Sequence, residues 1–305
     1  MKRVLVTGAT GFIGRHALVP LLARGYEVHA VRRVGAVSVE RNVTWHTADL
    51  LNAKQVEVLF AEVCPTHLLH FAWYAVPGKY WTSEENLAWV GATFELLRAF
   101  RRHGGIRVVL AGSCAEYDWA SGICSEASTS CRPASLYGVC KLATQMVLAS
   151  WSRESGVSSA WGRIFFLYGP FEHPTRLVSS VICSLLKGQP ARCTSGQQVR
   201  DFMHVEDVAA SFVALLDGKV TGVVNIASGK PVTVKEVVQT IATQLDLVRL
   251  LEIGAIPLAE SEPGMLCANN MRLRSEVGFQ SRYDLMSGLK QTIKWHQTRR
   301  EAISS

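Results

Sequence analysis

The N-terminal half of the chain alternates short apolar runs with longer stretches of helical periodicity. Apolar runs rich in β-branched residues predict strands, whereas apolar positions spaced three and four residues apart predict amphipathic helices. Strands are predicted at residues 3–7, 26–31, 43–46, 67–72, 107–111 and 157–166, and helices at residues 14–23, 52–63, 84–103 and 134–154. This alternation predicts an α/β fold of the Rossmann type, a doubly wound parallel sheet with helices on both faces.

The regular alternation ends near residue 168, and prolines become frequent after it. We therefore expect residues 1–168 to form an NAD(P)-binding Rossmann domain. Residues 169–305 are expected to form mainly a smaller, loop-rich, substrate-binding domain. The apolar run at residues 223–226 predicts that the chain returns to the sheet within residues 200–228.

Composition narrows the class of protein without identifying it. The chain has 305 residues, of which 48% are hydrophobic and 19% charged, and a net charge of +7 at pH 7, so it can bury a core. Its basic doublets are scattered, and no segment has the pattern of a signal peptide or of a membrane span. We expect a cytoplasmic protein without nucleic-acid or membrane partners. Because no export is expected, the eight cysteines are predicted to be reduced thiols. They form no Cys-x-x-Cys pair, so no metal site is predicted.

A glycine loop joins the first predicted strand to the first predicted helix, with Gly8, Gly11 and Gly14 spaced three residues apart. Glycine permits the tight turn, the close approach of a pyrophosphate and the packing of the helix on the strand. The N-terminus of the helix presents unpaired amides to phosphate. The predicted cofactor contacts in this loop are Gly8, Thr10, Gly11, Phe12, Ile13 and Gly14.

The end of the second predicted strand bears on the choice of cofactor. An acidic side chain there bonds the ribose of NAD, whereas an arginine accommodates the 2′-phosphate of NADP. This chain has Arg32 and Arg33 and no acid at that place. The sequence therefore favours NADP(H) over NAD(H), with both arginines in the cofactor site. Asp49, after the third predicted strand, is a candidate to bond the adenine amino group.

Ser113, Tyr137 and Lys141 form the candidate catalytic set. Tyr137 and Lys141 are four residues apart on a predicted helix and therefore project from one face. A nearby ammonium favours phenolate, so we expect Lys141 to lower the pKa of Tyr137 and to let it exchange a proton near neutral pH. Lys141 is also a candidate to bond a ribose hydroxyl of the cofactor. Ser113, just past the fifth predicted strand, is expected to bond the oxygen that Tyr137 protonates.

Nearly the whole chain resembles the extended short-chain dehydrogenase/reductase family, in particular the NAD-dependent epimerase/dehydratase group that acts on sugar nucleotides. Besides the glycine loop and the Ser–Tyr–Lys set, the resemblance lies in Asp49-Leu50, His70-Phe71-Ala72, Asn86, Arg163 to Pro170 and Arg200 to Val208. It implies that Leu50, Phe71 and Ala72 also line the cofactor. It further implies a nucleotide-sugar substrate whose diphosphate contacts Arg200, which suits the bidentate geometry of a guanidinium.

The resemblance also implies a homodimer that forms through the two long predicted helices. The apolar residues Leu96, Leu97, Leu142 and Val147 lie on those helices. They belong either to the dimer interface or to the core, and the sequence leaves both options open.

Departures from the family narrow the chemistry. Dehydratases of the family carry Thr-Asp-Glu where this chain has Ser113-Cys114-Ala115, and fucose-type epimerase-reductases carry a cysteine in place of Ala115. Two reactions at C4 of the sugar remain: reduction of a ketone, or 4-epimerisation by oxidation and re-reduction. In the substrate region, Phe166 replaces the family's usual asparagine and Glu262 replaces its usual arginine.

From these patterns we expect NADPH-dependent reduction of the C4 ketone of an NDP-4-keto-6-deoxyhexose. NADP suits a net reducer, and segments 193–202, 254–256 and 268–270 resemble those of 4-ketoreductases that form CDP-abequose. The predicted substrate contacts are Ser113, Cys114, Phe166 and Arg200. An NDP-hexose 4-epimerase is the first alternative, and a non-catalytic NADP-sensing regulator is an alternative of another class.

Overall fold

The computed structural model describes residues 2–33, 35, 40–259 and 262–304. Strands β1 to β14 span, in chain order, Arg3–Thr7, Glu27–Arg32, Val43–Thr47, His67–His70, Arg107–Ser113, Ile123–Cys124, Ser158–Ile164, Phe166–Tyr168, Ala191–Cys193, Val199–His204, Gly222–Ile226, Pro231–Thr233, Leu251–Ile253 and Met265–Ala268. Helices α1 to α9 span Gly14–Ala23, Ala53–Val63, Glu85–Arg102, Leu136–Ser155, Leu177–Leu186, Val205–Asp217, Val234–Gln244, Met271–Ser275 and Leu285–Ser304. Within the described residues, no helix combines the length and the apolar character needed to cross a membrane.

Parallel strands form the main sheet, in the order β11-β7-β5-β4-β1-β2-β3. The chain builds outward from β1 through β2 to β3, and then returns past β1 to add β4, β5 and β7. This reversal beside β1 is the switch point at which open α/β sheets bind their ligands. The α/β fold of the Rossmann type predicted from the sequence is confirmed.

Side chains on the two faces of the main sheet form two separate cores. Val4 and Val6 of β1 pack with α1 and α6 on one face, whereas Leu5 packs with α2 and α3 on the other. Successive side chains of a strand point to opposite faces, so a strand covered on both faces needs apolar residues throughout. This explains why uninterrupted apolar runs predicted these strands correctly.

A second, smaller sheet is built around β10, which pairs with β8, β12 and β14, and β6 joins through β14. Strands β9 and β13 form a separate two-stranded ladder. Helices α5, α7 and α9 share an apolar core with Tyr168 at the end of β8. Because β8 follows β7 after one residue, the C-terminal end of β7 leads directly from the first sheet into the second.

Two predictions for this region are wrong. The strand predicted at residues 157–166 is two strands, since β7 ends at Ile164 and β8 begins at Phe166 in the other sheet. The region after residue 168, predicted to be loop-rich, contains helices α5 to α9. Helix α6 carries apolar residues at helical spacing, among them Val205, Val208, Phe212 and Leu216, so the sequence does hold a local signal for it.

The chain returns to the first sheet as β11, which pairs with β7, inside the range predicted for that return. Helix α6, just before β11, packs against α1 on one face of the same sheet. Residues beyond 168 therefore contribute a strand and a helix to the first sheet and its covering layer. The division of the chain into domains at residues 168 and 169 stays a prediction.

Very close backbone packing holds the turn from β1 to α1. A Cβ on Gly14 would lie 2.2 Å from the carbonyl oxygen of Gly8, and a Cβ on Gly8 would lie 2.8 Å from the amide nitrogen of Ala72. Gly8 also has a φ of +67°, which disfavours any residue with a side chain. By contrast, a Cβ on Gly11 would meet only Gly8, with the nearest atom at 3.0 Å. The fold itself therefore requires Gly8 and Gly14, while Gly11 leaves one side of the loop open.

We expect Gly14→Ala to lower the free energy of unfolding by about 1–3 kcal/mol, because the new methyl group must displace the Gly8 carbonyl. Gly91→Ala is the matched control, since Gly91 is exposed in α3 and a Cβ there meets nothing within 4 Å. Alanine's helix propensity should stabilise that variant by up to about 1 kcal/mol. Urea denaturation measures both effects, and wild-type stability in Gly14→Ala would contradict the role of Gly14 in the turn.

Candidate active site

The carboxyl ends of the parallel strands gather most of the residues that the sequence singles out. The glycine loop follows β1, Arg33 follows β2, Asp49 comes shortly after β3, Phe71 follows β4 and Ser113 ends β5. In a parallel sheet these ends share one edge, where α/β proteins place their ligands. The predicted cofactor and catalytic residues therefore lie along a single edge of the main sheet.

The N-terminus of α1 has the features of a phosphate site. Ile13 is the N-cap residue and makes no side-chain capping hydrogen bond, so the first amides of the helix have no side-chain acceptor. Arg15 folds back onto the loop, and its guanidinium donates to the carbonyls of Thr10 at 2.5 Å and Gly11 at 3.1 Å. Uncapped amides beside the open side of Gly11 fit the pyrophosphate of a dinucleotide.

The residues predicted to hold the adenosine end lie at the ends of β2 and β3. Arg32 is partly buried as the last residue of β2, and Arg33 is exposed directly after it. Asp49 is exposed, and its carboxylate accepts a hydrogen bond from the amide of Leu51 at 3.0 Å. The side chain of Leu50 is buried in the core on the α2 side of the sheet.

Phe71 and Ala72 follow β4 and are anchored to β1 by polar contacts. The hydroxyl of Thr7 bonds Nδ1 of buried His70 at 2.7 Å and accepts from the amide of Ala72 at 3.3 Å. Burial lowers the pKa of His70 to about 3, so its ring is neutral. Phe71 packs edge-on against Phe212 of α6, with the ring centroids 5.0 Å apart. The segment that faces the glycine loop is therefore held rigidly.

Ser113 is the last residue of β5 and caps a short 3₁₀ turn at residues 114–116. Its hydroxyl accepts a hydrogen bond from the amide of Ala115 at 3.2 Å, and its own amide donates to the Glu116 carboxylate at 2.7 Å. These reciprocal bonds form a capping box. They fix both the backbone and the side chain of Ser113 at the edge of the sheet.

Glu116 lies at the centre of a buried polar network behind Ser113. Its carboxylate accepts from the indole nitrogen of Trp161 at 2.9 Å and from Nε of Arg163 at 2.7 Å, both on β7. The side chains of Arg163 and Glu116 are 3% and 0% exposed. The guanidinium of Arg163 also lies 4.2 Å from the centroid of the Tyr117 ring. The network ties the turn after β5 to the neighbouring strand.

Helix α4 brings Tyr137 to Ser113. The hydroxyl of Ser135 caps the helix by accepting from the amide of Gly138 at 3.2 Å. A Cβ on Gly138 would lie 2.4 Å from the carbonyl oxygen of Ala115, so glycine allows the helix to reach the turn that carries Ser113. The Ser113 hydroxyl is close enough to the Tyr137 phenol to lower its pKa, against the opposing effect of burial. The structure therefore brings together the serine and the tyrosine of the predicted catalytic set.

Lys141 lies one turn further along α4 and is buried. Its ammonium donates to the carbonyl of Ala111 in β5 at 2.9 Å and lies 3.6 Å from the centroid of a ring of Trp73. Burial lowers the pKa of Lys141 to about 7. The lysine of the set is therefore present at the site, but as a group that titrates near neutral pH.

The expected effect of Lys141 on Tyr137 is wrong for this structure. Burial raises the pKa of Tyr137 above its ordinary value, and the Ser113 hydroxyl opposes this rise only in part. The Lys141 nitrogen is 6.0 Å from the centroid of the Tyr137 ring. Loss of solvation therefore outweighs the attraction of a distant ammonium, and Tyr137 holds its proton at neutral pH.

Aromatic side chains surround Tyr137. Its ring is approached edge-on by Tyr80 at 4.8 Å and by Trp81 at 5.7 Å between centroids, and Trp81 in turn contacts Trp119 at 6.1 Å. Sequence reasoning missed this cluster because Tyr80 and Trp81 lie in the connection between β4 and α3, where no periodicity identifies them. The reacting end of the cleft is consequently lined by rings.

Cys114 and Ala115 are buried directly after Ser113. Burial raises the pKa of Cys114 to about 12, so its thiol stays protonated. Glu116, the next residue, accepts hydrogen bonds from Trp161, Arg163 and the Ser113 amide. Within the turn of residues 113–117, the structure offers no second acid or base beside the Ser113–Tyr137 pair.

Arg200 and Phe166 lie together on the neighbouring strands β10 and β8. The Arg200 guanidinium is buried 5.3 Å from the centroid of the Phe166 ring and donates to the carbonyl of Val199 at 2.8 Å. It also forms an ion pair with Glu262. Its positive charge opposes, in small part, the rise that burial causes in the pKa of the Cys114 thiol. The guanidinium predicted to meet a diphosphate is therefore bonded to a carboxylate of the same chain.

Two further residues of the site, besides the aromatic cluster, are absent from the sequence prediction. Arg163 was noted only as part of a resembling segment, and Glu116 was not considered. The spacing Ser113-x-x-Glu116 is the signature of a capping box and could have identified the second of these. The pairing of Glu116 with Arg163 depends on two adjacent strands and has no local signal.

The residues considered for a dimer interface divide between core and surface. Leu96 and Leu97 of α3 are 1% and 3% exposed and belong to the core. On α4, Leu142 is partly buried and Val147 is 43% exposed. The homodimer itself stays a prediction.

The parallel sheet, the glycine turn and the Ser–Tyr–Lys set on one edge define a Rossmann-type dinucleotide-binding protein. Residues 4–227 match the NAD dependent epimerase/dehydratase family, and the chain belongs to this family. Among curated relatives, UDP-glucuronate 4-epimerase 1 of Arabidopsis thaliana is 27% identical over 96% of this chain and 76% of its own. UDP-glucose 4-epimerase of Rhizobium meliloti (strain 1021) is 26% identical over 98% of each chain.

Solved structures agree with this assignment. MoeE5 in complex with UDP-glucose and NAD is 33% identical, with a TM-score of 0.82 over 98% of this chain and 99% of that chain. MoeE5 has also been solved with UDP-glucuronic acid and NAD, at 32% identity and a TM-score of 0.83. The chain is thus similar along its whole length to proteins solved with a sugar nucleotide and NAD.

We expect Glu116→Gln to lower the free energy of unfolding by about 3–5 kcal/mol, because it leaves the buried Arg163 cation without its counter-charge. Glu276→Gln is the control, since Glu276 pairs with Arg272 on the surface of α8 and should change stability little. Chemical denaturation gives both values. Equal losses of unfolding free energy in the two variants would show that the buried Glu116–Arg163 pair stabilises the protein no more than a surface pair does.

We expect the stability of the protein to rise between pH 7 and pH 10 through Lys141. Its pKa is about 7 when folded, against an ordinary 10.5, so over this range the unfolded chain binds a proton that the folded chain does not. The slope is at most about 1.4 kcal/mol per pH unit. Urea denaturation at several pH values should show that Lys141→Met loses this rise, whereas Lys290→Met, at an exposed position of α9, keeps it. Parallel pH curves for wild type and Lys141→Met would contradict the shift.

Proposed function

We propose that this protein is an NAD-dependent 4-epimerase of a UDP-linked hexose or hexuronic acid. The similar proteins support this choice of reaction, since the curated relatives are named as UDP-glucuronate and UDP-glucose 4-epimerases. MoeE5, solved with NAD and with either UDP-glucose or UDP-glucuronic acid, supports the cofactor and the nucleotide. The 4-epimerase thus takes precedence over the 4-ketoreductase favoured by the sequence alone.

One observation carries the proposal: the Ser113–Tyr137 pair has no second acid or base in the turn beside it. Elimination of water from a sugar needs an additional acid and base, which Cys114 and Ala115 do not provide. Cys114 is a buried, protonated thiol, and Glu116 is engaged by Arg163. Chemistry at a single oxygen, the one on C4, matches what these residues offer.

The residues on the sheet edge fit a nicotinamide dinucleotide. In this proposal the uncapped amides of α1 and the open side of Gly11 hold the pyrophosphate, and Lys141 bonds the adjoining ribose. Asp49 bonds the adenine amino group. Bound NAD⁺ would supply the acceptor and donor of the C4 hydride and a positive charge in the site.

Tyr137 and Ser113 carry the proton chemistry. In the proposed reaction Tyr137 would act as the phenolate, which the positive charge of bound NAD⁺ would favour; it would take the proton of the C4 hydroxyl and return it to the same oxygen, while Ser113 bonds and orients that oxygen. Without cofactor, Tyr137 keeps its proton because burial disfavours the phenolate. The buried side chain of Lys141, whose pKa of about 7 lets it gain or lose a proton, changes the net charge of the site.

A 4-ketoreductase that uses NADPH is the second candidate. Arg32 and Arg33 at the end of β2 favour it, because guanidinium groups there suit a 2′-phosphate. A non-catalytic sensor of NADP is less well supported, since binding alone requires no Ser–Tyr pair. The two enzyme candidates differ in whether reducing equivalents are consumed.

The test is to incubate purified protein with UDP-glucose or UDP-glucuronic acid, without added NADH or NADPH, and to analyse the sugar released by hydrolysis. We expect the 4-epimer to form, and NAD to be released when the protein is denatured. Tyr137→Phe should lower turnover by about 100- to 10,000-fold while retaining NAD, because only the proton exchange is lost.

A different result would replace the 4-epimerase with the 4-ketoreductase. Stoichiometric oxidation of NADPH with a 4-keto sugar nucleotide, and no epimer from either UDP-sugar, would establish the reductase. Full activity of Tyr137→Phe in either assay would remove Tyr137 from the mechanism.

A further inference from the structure

The ion pair between Arg200 and Glu262 joins a buried group to an accessible one. The side chain of Arg200 is 2% exposed, whereas that of Glu262 is 41% exposed. A guanidinium without a counter-charge is costly at such a depth, so Arg200 needs an anionic partner in every state of the protein. Glu262 can leave the pair and be solvated by water, whereas Arg200 cannot.

The surroundings of Arg200 keep its position fixed. Its strand, β10, is hydrogen-bonded to three strands of the second sheet, β8, β12 and β14. One guanidinium nitrogen donates to the carbonyl of Val199, and the ring of Phe166 lies at 5.3 Å. The nitrogen that donates to Glu262 can donate to a different acceptor once Glu262 has left. A phosphate oxygen is such an acceptor and forms the same charge-assisted bond.

A cavity opens next to the Glu262 end of the pair. It has a volume of about 410 Å³ and is lined by Trp119, Ala120, Gly122, Pro263, Gly264 and Met265. Pro263 directly follows Glu262, and Trp119 donates to the carbonyl of Cys114, beside the catalytic Ser113. Two lining residues therefore adjoin the two features, Trp119 through its hydrogen bond to the turn after Ser113 and Pro263 as the chain neighbour of Glu262.

From this arrangement we propose that Glu262 occupies the diphosphate position on Arg200 and competes with the diphosphate of the substrate. The inference rests on the proposed function in so far as it takes the substrate to be a nucleoside diphosphate sugar. Binding exchanges one anion for another at a buried cation, so Glu262 turns outward when the diphosphate enters. Glu262 thereby weakens the hold of the site on any nucleoside diphosphate and sets the affinity for substrate and product.

The experiment measures the affinity of the NAD-loaded protein for UDP by titration calorimetry. Glu262→Gln keeps the size of the side chain and removes its charge, so UDP should bind about five- to tenfold more tightly than to wild type. Glu252→Gln is the matched control, because Glu252 is an exposed carboxylate paired with Arg192 outside the cavity. The Glu252→Gln variant should bind UDP with the same affinity as wild type.

Binding of two further ligands, pyrophosphate and uridine, shows whether the change in affinity arises at the phosphates or at the nucleoside. Pyrophosphate should bind more tightly to Glu262→Gln by a similar factor, whereas uridine, which has no phosphate, should bind equally to both proteins. Unchanged or weaker binding of both UDP and pyrophosphate to Glu262→Gln would overturn the inference. An equal gain for uridine would also overturn it, since the effect would then arise at the base.

The same measurements separate this inference from the proposed function. If UDP fails to bind any variant but pyrophosphate binds Glu262→Gln more tightly, the competition at Arg200 holds and the UDP-sugar substrate is wrong. If the epimerase assay succeeds and Glu262→Gln binds UDP no better than wild type, the proposed function holds and the competition is wrong.

Discussion

The buried ion pair of Glu116 and Arg163 is the interaction on which the candidate site depends. It joins the turn after β5 to β7, and the same carboxylate accepts the amide of Ser113. A charged pair this deep repays its desolvation only when all its hydrogen bonds are made, which Trp161 helps to complete. The position of Ser113 is therefore tied to the integrity of the sheet beneath it.

Close backbone packing positions the helices at both ends of the cleft relative to the strands. The turn held by Glu116 presents the Ala115 carbonyl to α4, and Gly138 lets the helix approach it closely enough for Tyr137 to reach Ser113. Gly14 and Gly8 perform the corresponding task at the other end of the cleft, where α1 meets β1. Both ends of the cleft thus rely on glycines at backbone contacts that no side chain would permit.

The sequence predicted the parts of the structure that have a local signal. The main strands are apolar on both faces, and the glycine loop follows the first of them, so the Rossmann-type sheet and its functional edge could be predicted. The separate strand at Phe166 could not, because an apolar run carries no sign of a change of sheet. Residues distant in sequence bury Tyr137 and thereby raise its pKa. The neighbouring Lys141 alone led to the opposite expectation, a lowered pKa.

The ion pairs of Arg163 and Arg200 differ in whether their carboxylate can be replaced by a ligand. Arg163 and Arg200 are both almost fully buried, and each is paired with a carboxylate. Glu116 is itself buried and bonded on several sides, so separating it from Arg163 would leave two buried charges uncompensated, and the pair stays closed. Glu262 reaches solvent, so its departure exposes no second buried charge, provided that another anion takes its place on Arg200. Exposure of the carboxylate, rather than of the arginine, therefore decides which ion pair belongs to the framework and which is open to a ligand.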